Sequence, residues 1–278
     1  MCKLKRKIGF ASILLFLFLF VAACTNETDN ETGNPPEEKP DVTETPVKED
    51  VSLTVSAAVS LKDAMEVIQK DYNELHPEVT IDFNFGGSGS LQQQISQGAP
   101  VDLFFSAAED KFDLLVEEGL ISEEDGTPLL NNELVLIVPK GDSTVKSFED
   151  LAKDDVKQFS IGTPETVPAG KYAQESFEQM GIWDDVENKI VYAKDVRQVL
   201  SYVETKNVEA GVVYKTDAIS SDQVEMIASA DPETHTPIVY PVGVIKDSKQ
   251  YDAAKEFYTY LQSDEALKVF VEYGFTTQ

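Results

Sequence analysis

Residues 80–107, TIDFNFGGSGSLQQQISQGAPVDLFFSA, contain a complete strand–helix–strand unit. Ile81, Phe83 and Phe85 alternate with polar residues, the period of a half-buried strand. Gly86 and Gly87 permit a sharp turn, and SLQQQISQG (90–98) reads as a short helix stopped by Gly98 and Pro100. VDLFFSA (101–107) is short and apolar, as a strand covered on both faces of a parallel sheet must be. Parallel strands joined through a helix imply right-handed crossovers, and ligands of such sheets gather beyond the carboxyl ends of the strands.

The alternation continues in both directions. VSLTVSAA (51–58) reads as a strand, after which Ser60 opens SLKDAMEVIQKDYNEL with Asp63 placed as in a capping box. KFDLLVEEGL is a helix that closes near Gly119. FSIGTP (159–164), AKDV (193–196) and VEAGVVY (208–214) each end a strand before a helical pattern, such as YAQESFEQM with Gly181 as its stop. KQYDAAKEFYTYLQ and DEALKVFVEYGF form two closing helices. NELVLIVPK (132–140) and TPIVYPVGVI (236–245) are the longest extended runs, and they are expected to pair with each other as crossings between two lobes. The pattern predicts an α/β protein with no internal repeat.

At five strand ends a small or hydroxylated residue begins the helix: Ser60 in AAVS, Ser88 in GGSGS, Ala169 in PETVPAG, Val196 in KDVR and Tyr214 in VVY. A helix start leaves up to four N–H donors unpaired and carries about half a positive charge, so converging starts make an anion site. Serine hydroxyls and a tyrosine phenol donate without adding charge, while Ala169 and Val196 can offer only their N–H groups. Hydrogen bonds to a charged acceptor contribute about 1.5–3 kcal/mol each, so about seven donors can offset the dehydration of a dianion. The pattern predicts capture of a small oxyanion. Each residue also has a plainer use: Ser60 as a helix cap, Ser88 as turn material with Ser90 equally able to cap, Ala169 as a helix start after Pro168, Val196 as core, and Tyr214 as a packed aromatic. Lys62, Lys171, Arg197 and Lys215 lie one or two helical positions beyond the donors and are expected to face solvent.

Lys3, Lys5, Arg6 and Lys7 precede an apolar stretch of 14 residues, Ile8 to Val21, too short to span a bilayer. It ends in Val21-Ala22-Ala23-Cys24, which resembles the bacterial lipobox. Residues 1–23 are therefore expected to be a lipoprotein signal peptide, with lipidation at Cys24. Residues 24–50, with Pro35, Pro36, Pro40 and Pro46 among acids and Thr, are expected to be a disordered acidic tether. Only Cys2 and Cys24 are present, and His76 and His235 are the only imidazoles. Both histidines lie near prolines and read as exposed loop residues. Metal coordination and Cys–His or Ser–His–Asp catalysis are disfavoured, so no enzyme and no cofactor is expected. The net charge of −27, deepening to −31 without the four leader bases, speaks against nucleic acid or an anionic lipid surface as partner. At physiological ionic strength the Debye length is about 8 Å, so distant carboxylates do not preclude a local anion site.

AAVSLKDAM, FGGSGSLQQQISQGAPVDLFFSA, TPETVPAGKYA, DVRQVL, GVVYKTDA and the closing YGFT, in this order from about Leu53 to Thr277, closely resemble the molybdate-binding proteins of bacterial ABC importers. The resemblance implies a two-lobed type II periplasmic-binding-protein fold, each lobe a mostly parallel sheet flanked by helices, with the ligand cleft between them. The lobes are expected at 51–135 with 240–278, and at 136–239 as an insertion. By matching motif positions, Ser60, Ser88, Ala169, Val196 and Tyr214 would contact molybdate or tungstate, its molybdenum held through the oxygens and not by protein ligands. Val59, where the family carries a small residue, and the glycines flanking Ser88, where it often carries serines, depart from the pattern. The implied protein is a monomer, lipid-anchored at the outer face of the cytoplasmic membrane, that delivers its anion to a permease driven by a cytoplasmic ATPase. Rival ligands are sulfate, protonated phosphate, which needs a buried carboxylate such as Asp195 as acceptor, and a small organic acid clamped by Arg197.

Overall fold

The computed structural model describes residues 50–141 and 144–278. The expected leader (1–23), Cys24 and the tether as far as Glu49 lie outside the described residues. From the start of the described chain, β1 (Val51–Ala58), α1 (Lys62–Leu75), β2 (Val79–Gly86), α2 (Ser88–Ser96), β3 (Leu103–Phe105) and α3 (Glu109–Glu117) alternate, and β4 (Ile121–Asn131) follows. The chain then builds β5 (Leu134–Pro139), β6 (Phe159–Gly162), α4 (Pro168–Gln179), α5 (Trp183–Val186), β7 (Ile190–Ala193), α6 (Val196–Glu204), β8 (Ala210–Tyr214), α7 (Lys215–Ile219) and β9 (Val224–Ser229). It returns through β10 (Val239–Ile245) and closes with α8 (Tyr251–Leu261), α9 (Asp264–Glu272) and the short β11 (Thr276–Thr277). Among the described residues no helix is long and apolar enough to cross a membrane.

Two mixed sheets flanked by helices result. The first runs β11-β4-β10-β3-β1-β2 and the second β7-β6-β8-β5-β9. β1 is parallel to β2 and β3, and β6 is parallel to β7 and β8, but β10 and β4 in one sheet and β5 and β9 in the other run antiparallel to their neighbours. The mostly parallel sheets of the sequence reading thus hold only for the side of each sheet where strand and helix alternate. The two long runs are not paired crossings either. They meet at Asn132, whose N–H donates to the Ile238 carbonyl at 3.2 Å and whose side-chain amide donates to the Tyr240 hydroxyl at 3.2 Å. β10 instead lies between β3 and β4, whose sequence ISEEDGTPLLN carries no period-two signal. Register shifts along the β4–β10 pair break the alternation, and Gly126 stands opposite Gly243 where the Phe112 ring leaves no room for a Cβ.

Local pattern explains the helices that carry the site. In α6, Val196, Val199, Leu200 and Val203 are buried at the i, i+3, i+4, i+7 spacing of one face. Each fully buried aliphatic contributes about 1.5–3 kcal/mol. α1 buries Ala64, Met65, Ile68 and Tyr72 in the same manner, and α4 begins with Pro168 in its first turn. The Ser60–Asp63 capping box does not form: Ser60 lies in a 3-10 turn, Val59–Leu61, ahead of α1 and makes no cap bond. The histidines are half-buried and not exposed, His76 stacked on Tyr72 at 4.3 Å and His235 near the Tyr172 ring at 5.9 Å.

Candidate functional site

Ser60, Ser88, Ala169, Val196 and Tyr214, spread over more than 150 residues of chain, line one small cavity of ≈ 10 Å³. That is below the roughly 300–1,000 Å³ of pockets for drug-sized ligands. Ser60 and Ser88 follow β1 and β2 of the first sheet, and Ala169, Val196 and Tyr214 stand at the ends of β6, β7 and β8 of the second. The cavity therefore sits at the carboxyl ends of the parallel strands of both sheets, and all five residues are buried. Ala169 and Val196 occupy the first turns of α4 and α6, where N–H groups have no acceptor within their own helix. Ser90 does not line the cavity; Ser88 does.

The hydroxyls are held from behind. Ser88 Oγ accepts the Ala107 N–H at 2.9 Å, and Ser60 Oγ lies 2.9 Å from the Tyr240 hydroxyl. Tyr214 and Tyr172 both direct their phenols at the Ala107 carbonyl, at 3.5 and 3.4 Å. Burial pushes the Tyr214 phenol well above its ordinary range, with the neighbouring Tyr240 adding to the shift, so it remains a neutral donor.

No charged side chain lines the cavity. Lys62 pairs with Glu66 at 3.7 Å, Lys171 with Asp110 at 3.1 Å and Lys215 with Glu133 at 2.6 Å. Arg197 corrects the expectation of a solvent-facing base. Its guanidinium is 24% exposed and bridges Asp63 of α1 at 2.5 Å and Asp217 of α7 at 2.8 Å, away from the cavity. Asp217 is fully buried, and burial pushes its carboxyl up to about 6 against the opposing pull of Arg197. Asp195, the carboxylate nearest a junction, accepts the Gln198 N–H at 2.8 Å as the cap of α6.

Contacts across the cleft hold the two halves together. Gly89 N–H donates to the Thr166 carbonyl at 3.0 Å, and a Cβ on Gly89 would stand 2.8 Å from Thr166 Cα. A Cβ on Gly87 would stand 2.8 Å from the Thr166 carbonyl oxygen. The glycines that depart from the family pattern are those the opposite wall touches. Tyr240, Asn132 and Ala107 were missed at the sequence level, because each acts through a residue distant in the chain and none carries a local motif.

The sequence model of a family described as "Bacterial extracellular solute-binding protein" matches residues 53–276. The chain is 55% identical over 265 residues to a Bacillus subtilis (strain 168) protein provisionally named ABC transporter substrate-binding lipoprotein YvgL, covering 95% of this chain and 96% of that one. It is 39% identical to the molybdate-binding protein ModA of Haemophilus influenzae (strain ATCC 51907 / DSM 11121 / KW20 / Rd), over 81% of this chain and 90% of the relative. Among solved structures it is similar to the substrate-binding domain of a provisionally assigned molybdenum ABC transporter from Clostridium difficile. The TM-score is 0.64 at 44% identity, covering 82% of this chain and 99% of that one.

Proposed function

The chain belongs to the bacterial extracellular solute-binding proteins, and within them to the molybdate-binding type that serves ABC importers; from that membership we propose that it captures molybdate, and with it tungstate, and delivers the anion to a membrane permease driven by a cytoplasmic ATPase. The family is one of binding proteins and not of catalysts. The observation that carries the reading is an uncharged cavity lined by three hydroxyl-bearing residues and the first turns of two helices. Ser60 and Ser88 donate through oxygen, Tyr214 by turning its proton from the Ala107 carbonyl to the anion, and Ala169 and Val196 through their amides. The closing bodies are the two sheets with their helices, changing over between β4 and β5 and between β9 and β10, so the expected bounds at 135/136 and 239/240 shift to leave β5 and β10 whole. Molybdenum stays within its oxygens, and no bond is made or broken.

An organic acid clamped by Arg197 is disfavoured because that guanidinium is engaged by two carboxylates. Cys24 is the site of lipid attachment, and residues 24–50 tether a monomeric body to the outer face of the cytoplasmic membrane. The B. subtilis relative, named a lipoprotein and similar over 95% of this chain, supports that part. Calorimetry of the protein with molybdate, tungstate, sulfate and phosphate at fixed ionic strength tests the ligand. Molybdate and tungstate are expected to bind at least tenfold more tightly than sulfate, and sulfate binding as tightly would overturn the assignment.

A further inference from the structure

Behind Ser60 lies a buried chain of polar groups in which an anion in the cavity sets the order of donation. Asn132 stands in the crossing between β4 and β5. Its Oδ1 accepts the Glu133 N–H at 2.9 Å, which turns the amide NH₂ toward Thr216 Oγ1 at 3.0 Å and the Tyr240 hydroxyl at 3.2 Å. An amide NH₂ only donates. The Tyr240 oxygen thus accepts from Asn132 and lies 2.9 Å from Ser60 Oγ, a contact in which either hydroxyl can donate. The Tyr240 ring is fully buried and held edge-on by Tyr214 at 5.7 Å and Phe275 at 5.4 Å. Burial raises its phenol well above the ordinary range, so the proton is there to give. With an anion in the cavity the order of donation runs one way, because a hydrogen bond from Ser60 to a charged oxygen is stronger than one from Ser60 to a phenol.

We propose that Tyr240, oriented by Asn132, is a positioning residue that makes Ser60 a donor to the bound anion, so that the site selects fully deprotonated oxyanions over those that retain a proton. The proposal rests on reading the cavity as an oxyanion site. Across the cavity the Ala107 N–H occupies Ser88 Oγ in the same way, at 2.9 Å. Both serine oxygens facing the ligand are engaged from behind, and no carboxylate lines the cavity to accept a ligand proton. Hydrogen phosphate would bring a donor with no carboxylate to receive it, and a poorly matched polar group in a closed site is what separates such ligands.

The test uses calorimetry of full-length protein with molybdate and with inorganic phosphate at neutral pH, for wild type, Tyr240→Phe, Asn132→Asp and the double variant. Tyr240→Phe frees Ser60 Oγ to accept. Molybdate binding is expected to weaken about tenfold, and the molybdate-to-phosphate affinity ratio to fall by about tenfold or more. In Asn132→Asp the new carboxylate takes the Tyr240 proton and turns Ser60 inward, which is expected to weaken molybdate about a hundredfold. In the Tyr240→Phe background the same Asp should cost far less, because no phenol proton remains to redirect. General damage to the fold would lower both affinities and leave their ratio alone. A ratio within twofold of wild type in Tyr240→Phe, or an equal cost of Asn132→Asp in both backgrounds, overturns the proposal while the oxyanion reading stands. Wild-type protein that binds no tetrahedral anion overturns both.

Discussion

Ser88 is a small residue with two duties: its oxygen accepts the buried Ala107 N–H, and its own proton is free for the cavity. Ser88→Ala is expected to weaken molybdate binding by one charge-assisted hydrogen bond, about 1.5–3 kcal/mol or roughly 10–150-fold, as read by calorimetry. Asp217 makes a different demand. Its carboxyl is pushed up to about 6 by burial, above the ordinary 3.8, so the folded protein holds a proton that the unfolded chain has released. Acid therefore favours folding through this group: the contribution is complete below pH about 3.8 and lost as pH rises through about 6. Asn in its place mimics the protonated form. The thermal midpoint of Asp217→Asn minus that of wild type should increase between pH 4 and pH 7, and a difference flat across that window would show an ordinary carboxyl.

Among the elements, the loop from β2 into α2 touches the opposite half directly. Its N–H at Gly89 reaches the Thr166 carbonyl across the cleft, and Thr166 Cα stands only 2.8 Å from where a Cβ would be. Gly89→Ala is expected to hold the two halves apart. Small-angle scattering should show less compaction on adding molybdate than in wild type, and affinity should fall by about tenfold or more, while far-ultraviolet dichroism stays unchanged because α2 tolerates alanine. The bridge from Asp63 of α1 through Arg197 of α6 to Asp217 of α7 joins the same two halves at a second point. It explains why a cation so near a helix start takes no part in the cavity: its charge is already matched by two carboxylates.

For the whole molecule, the proposed binding of an anion would stabilise the folded state by mass action. At a thousandfold excess over Kd the gain is about 4 kcal/mol. For a body of this size each kcal/mol moves the midpoint by about 2–4 °C, so molybdate should raise it by about 8–16 °C, while chloride at equal ionic strength should not. The proposed attachment to the membrane is separate from anion capture. Cys24→Ala should shift the protein from the membrane fraction to the medium in a cell fractionation without changing its calorimetric affinity, since the cavity lies wholly within residues 58–214.

The alternation of short apolar runs with amphipathic helices was enough to place the parallel strands and the helices that follow them, because period-two and period-3.6 patterns are properties of neighbouring residues. For the same reason the five strand ends could be read one at a time. β4 was not legible: its polar, proline-containing segment becomes a strand only because β10 and β11 flank it, and the bulges along that pair erase its alternation. Arg197 was misread because the helical angle to its neighbours says nothing of the carboxylates that other helices bring to it. The proton order through Asn132, Tyr240 and Ser60 joins residues as many as 180 apart in the chain. Local sequence determined what each segment can become and which groups it can offer; only the packing of two sheets against one cleft decided which of those groups meet, because hydrogen bonds and ion pairs act over a few ångströms of space and not along the chain.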